Sequence, residues 1–345
     1  MAGMPSRPRL GVGEVLKVAG LGRIRSVQNG GGKSLPRRHA FDGGRMADEQ
    51  SDLTAANSYI EAELATRLKA VEDAADADAL VCIHPIHAPF DDLIRDQLED
   101  IKDKRESLLV ILETDGGSIE TCERIADTLR YHYPKGEIAF LVPNHAMSAG
   151  TILIMSGDRI LMDYYSVLGP IDPQIENLHG HWVPALGYLE TYEELVARSG
   201  SKRGLSQAEL AFLLDKFDPA ELFRFVQARE HSVDLLQRWL VQYKFKNWKR
   251  TATRKLPVTN QMKKTRAKQI ATKLNSPKKW RSHGRGLSIE VVRRDLNLIV
   301  EDFGTEPSLG ELNKRVRSYY RLLQDYMFRR MQSVVVQTRE AMIAG

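Results

Sequence analysis

Four short apolar runs constrain this chain most: ALVCIH (79–84), LLVILET (108–114), IAFLV (138–142) and RILM (159–162). Between them lie segments with apolar residues at helical spacing, Pro89–Lys104, Ile119–His132 and Ser148–Ser156. Strand-length runs that alternate with helices predict a parallel α/β sheet covered by helices. An amphipathic helix over Asn57–Ala74 precedes them.

Beyond the last run the pattern becomes helical, over Leu186–Arg198 and again from Ser206 to about Lys249, with Ser206 and Glu209 spaced as a capping box. Residues 244–286 then hold fifteen Lys and Arg and no Asp or Glu. A short helix is expected over Ser288–Asn297 and a longer one over Leu309–Ala344. The organisation read from this is a leader (1–45), an α/β core (46–185), a helical and basic extension returning to the core (186–304) and a C-terminal helix (305–345).

The leader carries nine Lys and Arg against Glu14 and Asp42, whereas everything after Met46 sums to −2. Rich in Gly and Arg and without apolar periodicity, it reads as disordered. Met46 opens a more protein-like stretch and is a candidate start site, in which case Gly43-Gly44-Arg45 is translated ribosome-binding sequence. No apolar run approaches the ~20 residues of a membrane helix, and no secretory signal opens the chain. Cys82 and Cys122 have no repeating spacing, so neither a disulfide framework nor a zinc ribbon is indicated, and a reducing cytosol is the expected location. No ligand cluster or phosphate-cradling glycine loop points to a metal or nucleotide cofactor.

Two strand-to-helix junctions converge as a candidate site: Asp115-Gly-Gly-Ser after the second run, and His145-Ala-Met-Ser-Ala-Gly after the third. In a parallel sheet such junctions gather at the carboxyl edge. Gly116 and Gly117 allow backbone torsions that free N–H groups to face an anionic oxygen, and Ser148 opens a helix whose amides also point outward. Acyl transfer is the chemistry this supports. The plainer alternative is an N-capping serine and an ordinary turn.

The residues LLVILETDGGSIE (108–120), VPNHAMSAGTILIMSGDRILMD (142–163) and SVLGPIDPQ (166–174) resemble the serine dehydrogenase proteinase family of the Clp and crotonase superfamily, related to signal peptide peptidase. Weaker similarity reaches KKWRSHGRGLSIEVVRRDLNLIV (278–300). The resemblance implies a Clp/crotonase-like spiral of ββα units with a helical C-terminal extension, assembled into trimers or larger rings. It also implies a serine peptidase acting on peptide or protein substrates, with Ser148 as nucleophile and the N–H groups of Gly117 and Ala149 as oxyanion hole.

The general base departs from the Clp pattern, because Tyr165 stands where that family's histidine would be, and a tyrosine of pKa about 10 is a poor base. The remaining candidates are a desolvated lysine, His283 in the family-like C-terminal stretch, and His145, which the turn also explains. Asp172 is a candidate to orient a base or to hold its loop. A catalytically impaired relative and an acyl-CoA hydratase or hydrolase are the rival readings on the same fold. A third is a module binding nucleic acid or anionic lipid through residues 244–286, where Phe245 and Trp248 interleave with cations.

Overall fold

The computed structural model describes residues 43–171, 174–176 and 182–345. In chain order the elements are α1 (Gly43–Ala75), β1 (Asp78–Ile83), α2 (Phe90–Asp100), β2 (Leu108–Glu113), α3 (Ile119–His132), β3 (Ile138–Leu141), β4 (His145–Ala146), α4 (Ala149–Ile154), β5 (Arg159–Met162) and β6 (Val167–Leu168). A short hairpin follows, β7 (Gln174–Glu176) and β8 (Trp182–Pro184), then α5 (Ala185–Ser199), α6 (Gln207–Lys216), α7 (Pro219–Trp239), α8 (Asn260–Leu274) and α9 (Pro277–Trp280). The last elements are β9 (Leu287–Ser288), α10 (Ile289–Val291), β10 (Glu301–Asp302), α11 (Gly310–Arg330), β11 (Val335–Gln337) and β12 (Met342–Ala344).

The main sheet runs β10-β5-β3-β2-β1-β11-β12. Its first five strands are parallel and its last two antiparallel. Alternation along the strands sends side chains to opposite faces. Leu80, Cys82, Val110, Leu112 and Phe140 pack on one face with α2, α3, α4, α7 and α8. Val81, Leu109, Ile111 and Leu141 pack on the other with α1 and α11, through Leu64, Leu68, Tyr319 and Leu323. Burial on both faces explains why the strands read as unbroken apolar runs. A second sheet, β4-β6-β9, stands where β2 and β3 end. This mixed, mostly parallel α/β arrangement with a helical C-terminal region is consistent with a Clp/crotonase-like fold.

Three expectations need correction. The helical stretch from Ser206 is two helices, because Asp218 caps Ala220 and Glu221 and Pro219 opens α7. The Ser206–Glu209 capping box is formed as expected. The segment Leu309–Ala344 is not one helix: α11 stops at Arg330, where Met331 turns left-handed at φ 53°, and the chain then forms a β-hairpin whose β11 pairs antiparallel with β1. β-branched Val334, Val335 and Val336 favour the strand. Residues 1–42 and Asp172 lie outside the described residues, and Gly43–Arg45, expected to be disordered, are helical. No described helix is long and apolar enough to cross a membrane.

Several cations of the basic segment are held by oxygen atoms elsewhere in the chain. Lys246 pairs with buried Asp158 at 2.6 Å, and Lys279 with Asp295 at 3.3 Å. Lys273 and Arg266 donate to the carbonyls of Asp295 and Leu296, both at 2.7 Å, at the end of the helical turn following α10. Cations at carbonyl ends of helices satisfy acceptors that lack a partner in the helix.

Candidate active site

The two glycine-bearing junctions lie side by side because β4 continues the main sheet's carboxyl edge. The Thr114 N–H donates to the His145 carbonyl at 3.0 Å, and the Met147 N–H donates to the Thr114 carbonyl at 2.9 Å. Glycine at 116 follows from that approach: a Cβ there would lie 2.7 Å from the Met147 carbonyl oxygen and 2.8 Å from the Ser148 Cβ. Gly117 has φ 150°, and a Cβ would fall 2.2 Å from the Ile86 carbonyl oxygen. The loop before α2 pairs with this turn, Ile86 donating to Gly116 at 2.8 Å and accepting from Ser118 at 2.7 Å. The neighbouring amides are thereby used, whereas the Gly117 N–H has no partner among the described residues.

Ser148 precedes α4 with φ 50° and ψ −115°, a conformation that L-residues rarely adopt. Its side chain does not cap the helix, which excludes the plain N-cap explanation, and its hydroxyl has no hydrogen bond among the described residues. The Ala149 N–H is equally unpaired. Strain of this kind persists only where the surroundings hold it. Here buried Thr151 does so, donating to the carbonyls of Ala146 at 2.7 Å and Gly169 at 2.9 Å and accepting from the Gly169 N–H at 3.0 Å. Beneath, the Cys122 thiol, raised far above its ordinary pKa by burial, lies 3.5 Å from the Ala149 carbonyl.

Ser148, Gly117, Ala149 and His283 all line one cleft of about 830 Å³. His283 is half-buried, its Nδ1 has no hydrogen-bond partner, and desolvation holds its pKa below the ordinary histidine value. The imidazole is therefore neutral near pH 7 and has a free nitrogen.

The other candidates sit elsewhere. His145 is not among the residues lining the cleft; its Nε2 lies 3.0 Å from Asp115 Oδ1 and its Nδ1 3.6 Å from Glu113 Oε1. Tyr165 is exposed and edge-on to Tyr164. No lysine lines the cleft among the described residues. The half-buried Lys244, lowered to about 8 by desolvation, lies beside Asp158 at the amino edge of the sheet.

Two further imidazoles line the cleft, neither legible in the sequence. His87 projects from the loop before α2. His231 stands on α7 with its Nε2 3.2 Å from Glu123 Oε2 of α3, and Arg238 shares that carboxylate and helps to hold it below its ordinary pKa. One face of α7 makes a wall of the cleft, which a helical period alone could not place against the serine junction.

Residues 93–211, which hold both junctions, match the sequence profile of the ClpP-like SDH-type serine proteinases. Two proteins of Methanocaldococcus jannaschii are similar. The chain is 35% identical over 109 residues to the uncharacterized protein MJ1495, covering 29% of this chain and 35% of that one. It is 36% identical over 108 residues to the uncharacterized protein MJ0137, covering 31% and 35%. The aligned region thus spans about a third of the length of these curated relatives. Among solved structures, a membrane-bound stomatin-specific protease, 1510-N in a serine-to-alanine variant, matches at 17% identity and a TM-score of 0.26, over 41% of this chain and 72% of that chain. The resemblance carried by residues 108–174 is to the ClpP-like SDH-type serine proteinase family.

Proposed function

We propose that this chain is a serine peptidase of the serine dehydrogenase proteinase type, cleaving peptide bonds through an acyl-enzyme on Ser148. The observation that supports it most is Ser148 itself: a strained residue with an unengaged hydroxyl, in one cleft with the unpaired amides of Gly117 and Ala149. In this reading Ser148 Oγ attacks the scissile carbonyl carbon and gives its proton to His283. The two N–H groups stabilise the oxyanion, and the proton passes to the departing amine. Water activated by the same imidazole then attacks the ester and releases the serine. A hydrogen bond between nucleophile and base often tightens only in the Michaelis complex.

The test is labelling of the purified full chain with a fluorophosphonate. A single adduct on Ser148 that disappears in Ser148→Ala supports the reading. Labelling that survives the substitution moves the nucleophile elsewhere. A native chain that stays unlabelled overturns the peptidase reading in favour of an impaired relative or a crotonase-like enzyme of acyl-CoA. Assembly into trimers or larger rings and a cytoplasmic location belong to the same proposal, and sedimentation velocity tests the first.

A further inference from the structure

The α7 wall has a distal end that the hydrolytic reading leaves without a task. The C-terminal half of α7 is anchored by Leu235, Leu236 and Trp239 in the core that contains Ala149 and Ile152. His231 is tied to α3 on the same side. The N-terminal half packs separately, through Phe225 against Ala185 and Leu189. On the cleft-facing side stand Phe223 and Arg224, two turns before His231, and Gln227, one turn before it. Phe223 is 65% exposed although it lines a cleft. Arg224 has no hydrogen bond or ion pair among the described residues, and it is the only Lys or Arg among those lining the cleft. Gln227 between them and His231 also has an unengaged amide.

We infer that Phe223 and Arg224 form a specificity subsite for an extended peptide carrying an apolar side chain next to a carboxylate, in the same cleft as Ser148. The inference rests on the peptidase reading above. The ring of Phe223 covers the apolar side chain, the guanidinium takes the carboxylate in its two-pronged geometry, and the Gln227 amide meets the peptide backbone between them.

The experiment uses the full chain with Ser148→Ala, so that bound peptide is not turned over, and fluorescein-labelled octapeptides on an Ala/Ser background. These carry Phe-Glu, Phe-Lys or Ala-Glu, and binding is read by anisotropy. Phe-Glu is expected to bind about tenfold more tightly than either other peptide. Arg224→Gln should remove the advantage over Phe-Lys, Arg224→Glu should invert it, and Phe223→Ala should remove the advantage over Ala-Glu. Both side chains are exposed, so these variants fold, and inversion by charge reversal is something a merely structural role would not produce. Equal binding of all three peptides, or a preference indifferent to both substitutions, overturns the subsite even if Ser148 is labelled. A preference that follows Arg224 in a chain whose Ser148 does not react sinks the hydrolytic reading and leaves a peptide-binding groove.

Discussion

His145 and Asp115 are bonded to each other, Nε2 to Oδ1 at 3.0 Å, and the pair ties the residue before the two glycines to the strand that leads into Ser148. His145, three positions before Ser148, serves here as a clasp. His145→Ala should lower turnover about tenfold to a hundredfold with KM little changed, the scale of a small misplacement of reacting groups. His145→Gln, which keeps a donor to Asp115, should recover most of it. Complete loss in both variants, with folding intact, would return His145 to the chemistry.

If His283 is the base, as proposed, the acid limb of the activity profile should report it. Burial favours its neutral form, so its pKa lies below the ordinary value of about 6.5. A base works when neutral, so the acid limb of acylation should be centred below pH 6.5. A limb centred above 6.5 would assign the base to another group.

Gly117 tolerates no side chain. Gly117→Ala puts a methyl 2.2 Å from the Ile86 carbonyl oxygen at a φ of 150°. Moving the turn to relieve this should destabilise the protein by ~1–3 kcal/mol in urea unfolding. On the peptidase reading, it should also cut fluorophosphonate labelling by about 10²–10³, because moving the turn displaces the residue-117 N–H from the proposed oxyanion position.

Thr151 is fully buried, and its hydroxyl holds the Gly169 segment to α4. Thr151→Val keeps the shape but removes the hydroxyl donor to the Ala146 and Gly169 carbonyls and leaves the Gly169 N–H only the Ala146 carbonyl at 3.2 Å, at a cost of ~1–3 kcal/mol. Labelling of Ser148 should slow in step, because the strained turn loses its brace. Unchanged stability would show that the bond from the Gly169 N–H to the Ala146 carbonyl suffices to hold the segment.

Arg339, in the turn of the C-terminal hairpin, meets the buried carboxylates of Glu72 and Asp78. Burial raises the pKa of Glu72 even beside this cation. Arg339→Met leaves two acids together without compensation, and chemical denaturation should show a loss of ~3–5 kcal/mol. Glu72→Gln in that background should restore part of it.

The parallel strands were readable because both faces of the sheet are covered, which turns each into an apolar run such as LLVIL at 108–112. The glycine junctions were readable because close backbone approach at 116 and 117 excludes a Cβ. The end of α11 was not, because Met331 takes the left-handed position where glycine ordinarily marks a stop. Nor was the partnering of the basic segment, since carbonyl oxygens such as that of Asp295 carry no signature in composition. His231 was missed because its significance comes from α7 lying against α3, a long-range contact that no local spacing encodes.

The torsions at Ser148 set durability against turnover at one position. A glycine there would sit comfortably at φ 50°, so Ser148→Gly should melt at a higher temperature than the native chain, while Ser148→Ala, which keeps the Cβ, should not. A variant selected only for thermal robustness would drift toward that glycine and fall silent.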